Sequence, residues 1–132
     1  LSAAMRKCRI ITPDKNGKAK YKNVDVYTLL YGGNLKLNYD MKAGDVLYVP
    51  GGAGGVGHFA IQIGHILGAK VIASGGRGES MEFLRELKVD SCFNYKEKNP
   101  AEAVKEFTKG KGADVIYECV TKAAGTLAIR FV

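Results

Sequence analysis

No apolar run in this chain of 132 residues approaches the ~20 residues that a bilayer-spanning helix needs, so no membrane partner is expected. The start, Leu1 to Lys7, lacks the apolar centre of a secretory signal. Cysteine is scarce: Cys8, Cys92 and Cys119 form an odd set at wide spacing. That excludes a disulfide framework and a zinc site, and points to a reducing, cytoplasmic setting. His58 and His65 fall on one helical stretch without carboxylate or cysteine companions, so no metal is expected.

The apolar and charged content is that of a globular domain with a real core, which argues against disorder. The net charge of +7 is unevenly placed. Residues 1–45 hold nine Lys/Arg and four Asp/Glu and carry +5 of it. These lysines are scattered among turn residues and read as a solvated basic face. A nucleic-acid patch is the disfavoured alternative.

The most informative stretch is Val46 to Ala60. An apolar run, Val46–Val49, enters a glycine cluster, and a helical pattern leaves it. Gly52, Gly54 and Gly57 fit G-x-G-x-x-G. The first glycine permits a tight turn off the strand, the second lets backbone approach a pyrophosphate, and the third lets the helix pack closely on the strand. Phosphates then meet free N–H groups at the helix start. Gly52, Ala53, Gly54, Gly55, Val56 and Gly57 are therefore candidate cofactor-binding residues.

Around that stretch strands and helices alternate. Strands are expected at Val46–Val49, Val71–Ala73, Ser91–Asn94, Ala113–Cys119 and Gly125–Val132. Helices are expected at 55–67, with Phe59, Ile63, Ile66 and Leu67 on its apolar face, at 79–88 with Phe83, Leu84 and Leu87, and from Asn99 to about Lys109. Gly68 suits a left-handed cap, Asn99 an N-cap, Pro100 the first helical position, and Glu102 a bond back to the cap. This pattern implies an α/β, Rossmann-like doubly wound parallel sheet of order 3-2-1-4-5. The link Thr121–Ala124 is too short for a full crossover helix. Residues 1–41 read as a basic N-terminal segment. It holds a hairpin, Cys8–Thr12 and Lys18–Tyr21 about an Asp14–Gly17 turn, then a short helix from Val24 to Tyr31. Residues 42–132 read as the NADP(H)-binding Rossmann domain, with truncation left open.

Ala53-Gly54-Gly55-Val56-Gly57, Gln62 and Leu67-Gly68-Ala69-Lys70-Val71 resemble the quinone oxidoreductase branch of the zinc-independent medium-chain dehydrogenase/reductases. Phe93-Asn94-Tyr95-Lys96-Glu97 and Gly112 to Glu118 continue the resemblance, which covers about Lys42 to Tyr117. It implies NADPH-dependent transfer of hydride to a quinone or enone. It also implies that Tyr95 reaches the adenosine 2′-phosphate region, that Cys119 and Val120 pass the nicotinamide ribose, and that a homodimer forms through an edge strand near the C-terminus. Two departures stand out: Ser80 where the family tends to have lysine, and Thr121 where it usually has glycine.

The cofactor preference can also be read from the residues. An NAD site carries an acid at the end of its second strand, whereas this chain has Ala73-Ser74-Gly75-Gly76-Arg77. Ser74 can donate to a 2′-phosphate and Arg77 can grip it with a charge-assisted fork. NADP(H) is favoured, with NAD(H) left open. The family's substrate domain has no full counterpart in residues 1–23, so no catalytic residue is named. The alternative function is a non-catalytic dinucleotide-binding or oligomerisation module.

Overall fold

A computed structural model describes residues 8–24, 42–53, 57–76 and 78–118. Its strands are β1 (Cys8–Pro13), β2 (Ala19–Val24), β3 (Val46–Val49), β4 (Lys70–Gly75), β5 (Ser91–Asn94) and β6 (Val115–Glu118). Among the described residues three helices lie between them: α1 (Gly57–Ile66), α2 (Gly78–Glu86) and α3 (Pro100–Phe107). One six-stranded sheet runs β5-β4-β3-β6-β1-β2. β5, β4, β3 and β6 are parallel, and reproduce the expected order 3-2-1-4.

The place beyond β6 differs from expectation. The sequence pattern assigns it to Gly125–Val132, but β1 occupies it, antiparallel, with Ile10 opposite Tyr117 and Ile11 opposite Ile116. Residues 125–132 lie outside the described residues. The physical reason is twofold. A parallel strand needs a crossover, which an antiparallel strand does not. Adjacent Ile10 and Ile11 also enter opposite faces of the sheet and are buried in both cores. The hairpin itself is as predicted. Asp14 Oδ1 accepts from the N–H groups of Asn16 and Lys18, and Gly17 takes the positive φ of 79° that the turn requires. Val24, expected to open a helix, ends β2 instead. Residues 25–31 lie outside the described residues.

Period-two alternation sorts the sheet residues into two cores. Leu47, Val49, Val71, Ala73, Val115 and Tyr117 face α1 and α2. Tyr48, Ile72, Phe93 and Ile116 face α3. The central strands are thus buried on both sides, as parallel strands are.

The contact face of α1 keeps Phe59 and Ile63 of the stripe expected of it but is built largely of small residues. Gly57, Ala60, Ile61, Ile63 and Gly64 are buried, while Ile66 is 71% exposed. The helix lies so close that a Cβ at Gly64 would stand 2.6 Å from Leu47 Cδ2. At its end the Gly68 N–H bonds to the His65 carbonyl and the Ala69 N–H to that of Gly64, with Gly68 at φ 83°. This is the expected left-handed cap. Asn99 caps α3 by accepting from the Ala101 N–H, and Pro100 follows it.

Candidate functional site

Chain order reverses beside β3, whose neighbours are β4 on one side and β6 on the other. Ligands of doubly wound sheets bind at such a point, outside the carboxyl ends of the strands. The glycine turn leaves β3 there, and the structure shows what its glycines are for. A Cβ at Gly52 would meet Ile61 Cδ1 at 2.9 Å, Ala73 Cβ at 3.0 Å and Leu84 Cδ2 at 3.1 Å, so α1, β4 and α2 converge on that residue. A Cβ at Gly57 would lie 2.6 Å from the Gly51 carbonyl oxygen and 2.7 Å from Gly52 Cα. The start of α1 therefore rests directly on the turn. Ala53 is half-buried against the same core.

Ser74 fastens the turn from below. Its hydroxyl accepts from the Gly51 N–H (3.2 Å) and its carbonyl from the Gly52 N–H (3.0 Å). Ser74 is 1% exposed, and its Oγ lies 3.1 Å from the hydroxyl of Tyr48, itself 2% exposed. Burial pushes the Tyr48 phenol up to about 12, against the smaller opposing effect of its bond to Ser74. The serine expected at a 2′-phosphate thus has its hydroxyl directed under the turn.

At the neighbouring strand end the Tyr95 N–H donates to the Gly75 carbonyl (3.1 Å). The Tyr95 side chain is 51% exposed. Its ring covers Gly76, where a Cβ would come within 2.7 Å of Cε1 and of the hydroxyl. A Cβ at Gly75 would stand 2.9 Å from Ser80 Cβ. Gly52, Ala53, Gly57, Ser74 and Tyr95 are thereby gathered on the carboxyl ends of β3, β4 and β5. Gly54, Gly55, Val56, Arg77, Cys119 and Val120 lie outside the described residues, as does Thr121. His58, in the first turn of α1, pairs its Nδ1 with Gln62 Nε2 (3.2 Å) and packs on Phe59 and Phe83.

Two residues of this site escaped the sequence reading. Gly76 was passed over as part of a loop. Tyr48 was absorbed into an apolar strand, although a tyrosine inside a strand buried on both faces needs a partner for its hydroxyl. That need was the available signal.

No helix among the described residues is long and apolar enough to cross a membrane. Nor do three His, Cys, Asp or Glu side chains gather there to hold a metal ion, so the described residues do not fit a zinc site.

Residues 55–132 match the family described as zinc-binding dehydrogenase. The chain is 36% identical over 88 residues to a 2-haloacrylate reductase of a Burkholderia species, covering 67% of this chain and 26% of that protein. It is 38% identical over 93 residues to a probable quinone oxidoreductase of Leishmania amazonensis, covering 70% of this chain and 27% of that protein. Among solved structures it resembles the Escherichia coli quinone oxidoreductase complexed with NADPH. The TM-score is 0.56 at 30% identity, over 65% of this chain and 25% of that one. The chain spans about a quarter of the length of each of these relatives. By the family match and the sheet just described, this chain belongs to the zinc-binding dehydrogenase family, in the zinc-independent quinone oxidoreductase branch of the medium-chain dehydrogenase/reductases.

Proposed function

We propose that this chain is the NADP(H)-binding part of a reductase that delivers hydride to a quinone or to an activated carbon–carbon double bond. The observation that carries the reading is the glycine turn, fastened by Ser74 and packed under the start of α1 at the point where strand order reverses. A diphosphate would be held by backbone N–H groups of Gly54, Gly55 and Val56 and by the amino end of α1. Two further observations support a 2′-phosphate over a bare ribose. No acid stands at the end of β4, and the half-exposed Tyr95 phenol lies beside it. Arg77 is assigned the charge that meets the phosphate, and Cys119 and Val120 the nicotinamide side. NAD(H) is the weaker ligand on this reading.

When bound, the dinucleotide supplies the hydride, and the protein supplies placement and electrostatics. Excluding water from the nicotinamide requires a second wall. The alternative reading is a module that binds the dinucleotide without turnover or pairs with a second copy. Calorimetric titration of the purified chain with NADPH and with NADH, followed by an NADPH-oxidation assay with a quinone, tests both. Tighter NADPH binding with turnover supports the reductase. Binding without turnover supports the module. No binding of either dinucleotide removes both.

A further inference from the structure

We infer that Tyr48 and Ser74 are positioning residues: a buried hydroxyl pair that holds the glycine turn in its ligand-ready shape and touches no part of the ligand. The inference rests on the dinucleotide-binding reading above and gives Ser74 a role different from phosphate recognition.

The argument starts from register. Tyr48 on β3 pairs with Ile72 on β4, so Ser74 lies two residues further along the same face. A tyrosine is long enough to lean along the strand and span that step. Its ring is held from the other side by Phe93 of β5, stacked at 5.8 Å between centroids and 21° between planes. The phenol hydroxyl then comes to 3.1 Å from Ser74 Oγ, and Ser74 in turn takes two successive N–H groups, those of Gly51 and Gly52. A chain of bonds therefore runs from the core opposite α3 to the first two residues of the turn.

Leucine or valine would fill the Tyr48 position without burying a hydroxyl. A phenol placed there pairs with the Ser74 hydroxyl, as buried polar groups require. Burial, which pushes its pKa up to about 12, keeps it in the protonated form, able to donate, throughout the working pH range. The N–H groups of Gly51 and Gly52 are consumed by Ser74, so any anion must be met by the N–H groups that follow. Fixing the first two residues in advance lowers the ordering cost of binding.

The two roles for Ser74 predict different losses. A serine that touches a 2′-phosphate serves NADPH alone. A serine that shapes the turn serves the diphosphate, which NADPH and NADH share. The test is calorimetric titration of both dinucleotides into the full chain and into its Ser74→Ala, Ser74→Thr and Tyr48→Phe variants, each well below its melting temperature. Loss of one buried hydrogen bond corresponds to about tenfold in affinity. Ser74→Ala should weaken both dinucleotides by about that factor, with their affinity ratio unchanged. Ser74→Thr, which keeps the hydroxyl, should restore both. Tyr48→Phe should weaken both by about threefold, and the Tyr48→Phe, Ser74→Ala double variant should be no weaker than Ser74→Ala alone. Amide exchange gives a readout without ligand: the Gly51 N–H should lose protection in Ser74→Ala and regain it in Ser74→Thr. Loss confined to NADPH would overturn the inference in favour of direct phosphate contact. Unchanged affinity for both would overturn it in favour of mere packing. Failure of the unmodified chain to bind either dinucleotide would overturn the dinucleotide reading itself, and this role with it.

Discussion

The two ends of the parallel strands are closed by the same clasp made with different chemistry. At the amino ends Asp90 accepts from the Val71 N–H through Oδ2 (2.7 Å) and donates its own N–H to the Val71 carbonyl (2.9 Å). Asp114 does the same to Val46, at 2.8 Å and 2.9 Å. At the carboxyl ends Ser74 also takes hold of the adjoining segment through side chain and backbone together, but with a hydroxyl. A carboxylate makes the stronger bond to an N–H group. It also brings a negative charge, tolerable only at the end of the sheet away from the expected phosphates. On the reading proposed above, the clasp nearest the expected phosphates is the one that carries no charge.

Exchanging the clasps is the most severe way to break that comparison. Ser74→Asp keeps an acceptor for Gly51 but buries a carboxylate with no cation beside it among the described residues. It should cost about 3–5 kcal/mol of stability and weaken both dinucleotides by more than about a hundredfold through repulsion of the diphosphate. Thermal melting and calorimetry read the two effects. Tight NADPH binding by this variant would show that neutrality there is incidental.

Alkaline unfolding sharpens the comparison from the neutral end. The Tyr48 phenol ionises near 10.0 when unfolded and at about 12 in the fold. Its contribution is therefore intact below pH 10 and lost as pH rises through 12. Relative to Tyr48→Phe, the unmodified chain should lose roughly 2–3 kcal/mol across that window. Parallel denaturant titrations at pH 9 and pH 12 measure the difference, and equal slopes for the two proteins would refute it.

The smallest effects belong to the amino ends. Asp90→Ala, which removes a half-buried bond, should cost about 2 kcal/mol, and the more exposed Asp114→Ala about 1 kcal/mol. Dinucleotide affinity should stay unchanged in both. A loss of binding in either would mean that the two ends are coupled.

Local chemistry was legible in this chain, and long-range partnership was not. Asp14 to Gly17 closed the hairpin, Asn99 capped α3 and Gly68 stopped α1 as their residue types require. Alternation yielded four parallel strands in their right order. Hydropathy read α1 only in part: Ile63 is buried and Phe59 packs on the core as expected, but Gly57, Ala60 and Gly64, which carry little apolar signal, share the buried face, and bulky Ile66 is exposed. Nothing local announces that Ile10 and Ile11 lie beside β6, since that pairing joins residues about a hundred positions apart. Of the site, the glycine spacing could be read directly. The direction of the Ser74 hydroxyl could not, because it depends on a tyrosine from the adjacent strand.

The Tyr95 ring lying over Gly76 has a consequence for how such a protein can change over generations. Any side chain at 76 must first evict the phenol, and any at 75 must first push back Ser80. The Tyr95 phenol is half-exposed and can swing outward, whereas Ser80 Cβ is held close to its own helix backbone. On the reading proposed above, an acid that serves a bare ribose would therefore be accommodated more readily at 76 than at 75, and its arrival there would displace the 2′-phosphate contact in the same step.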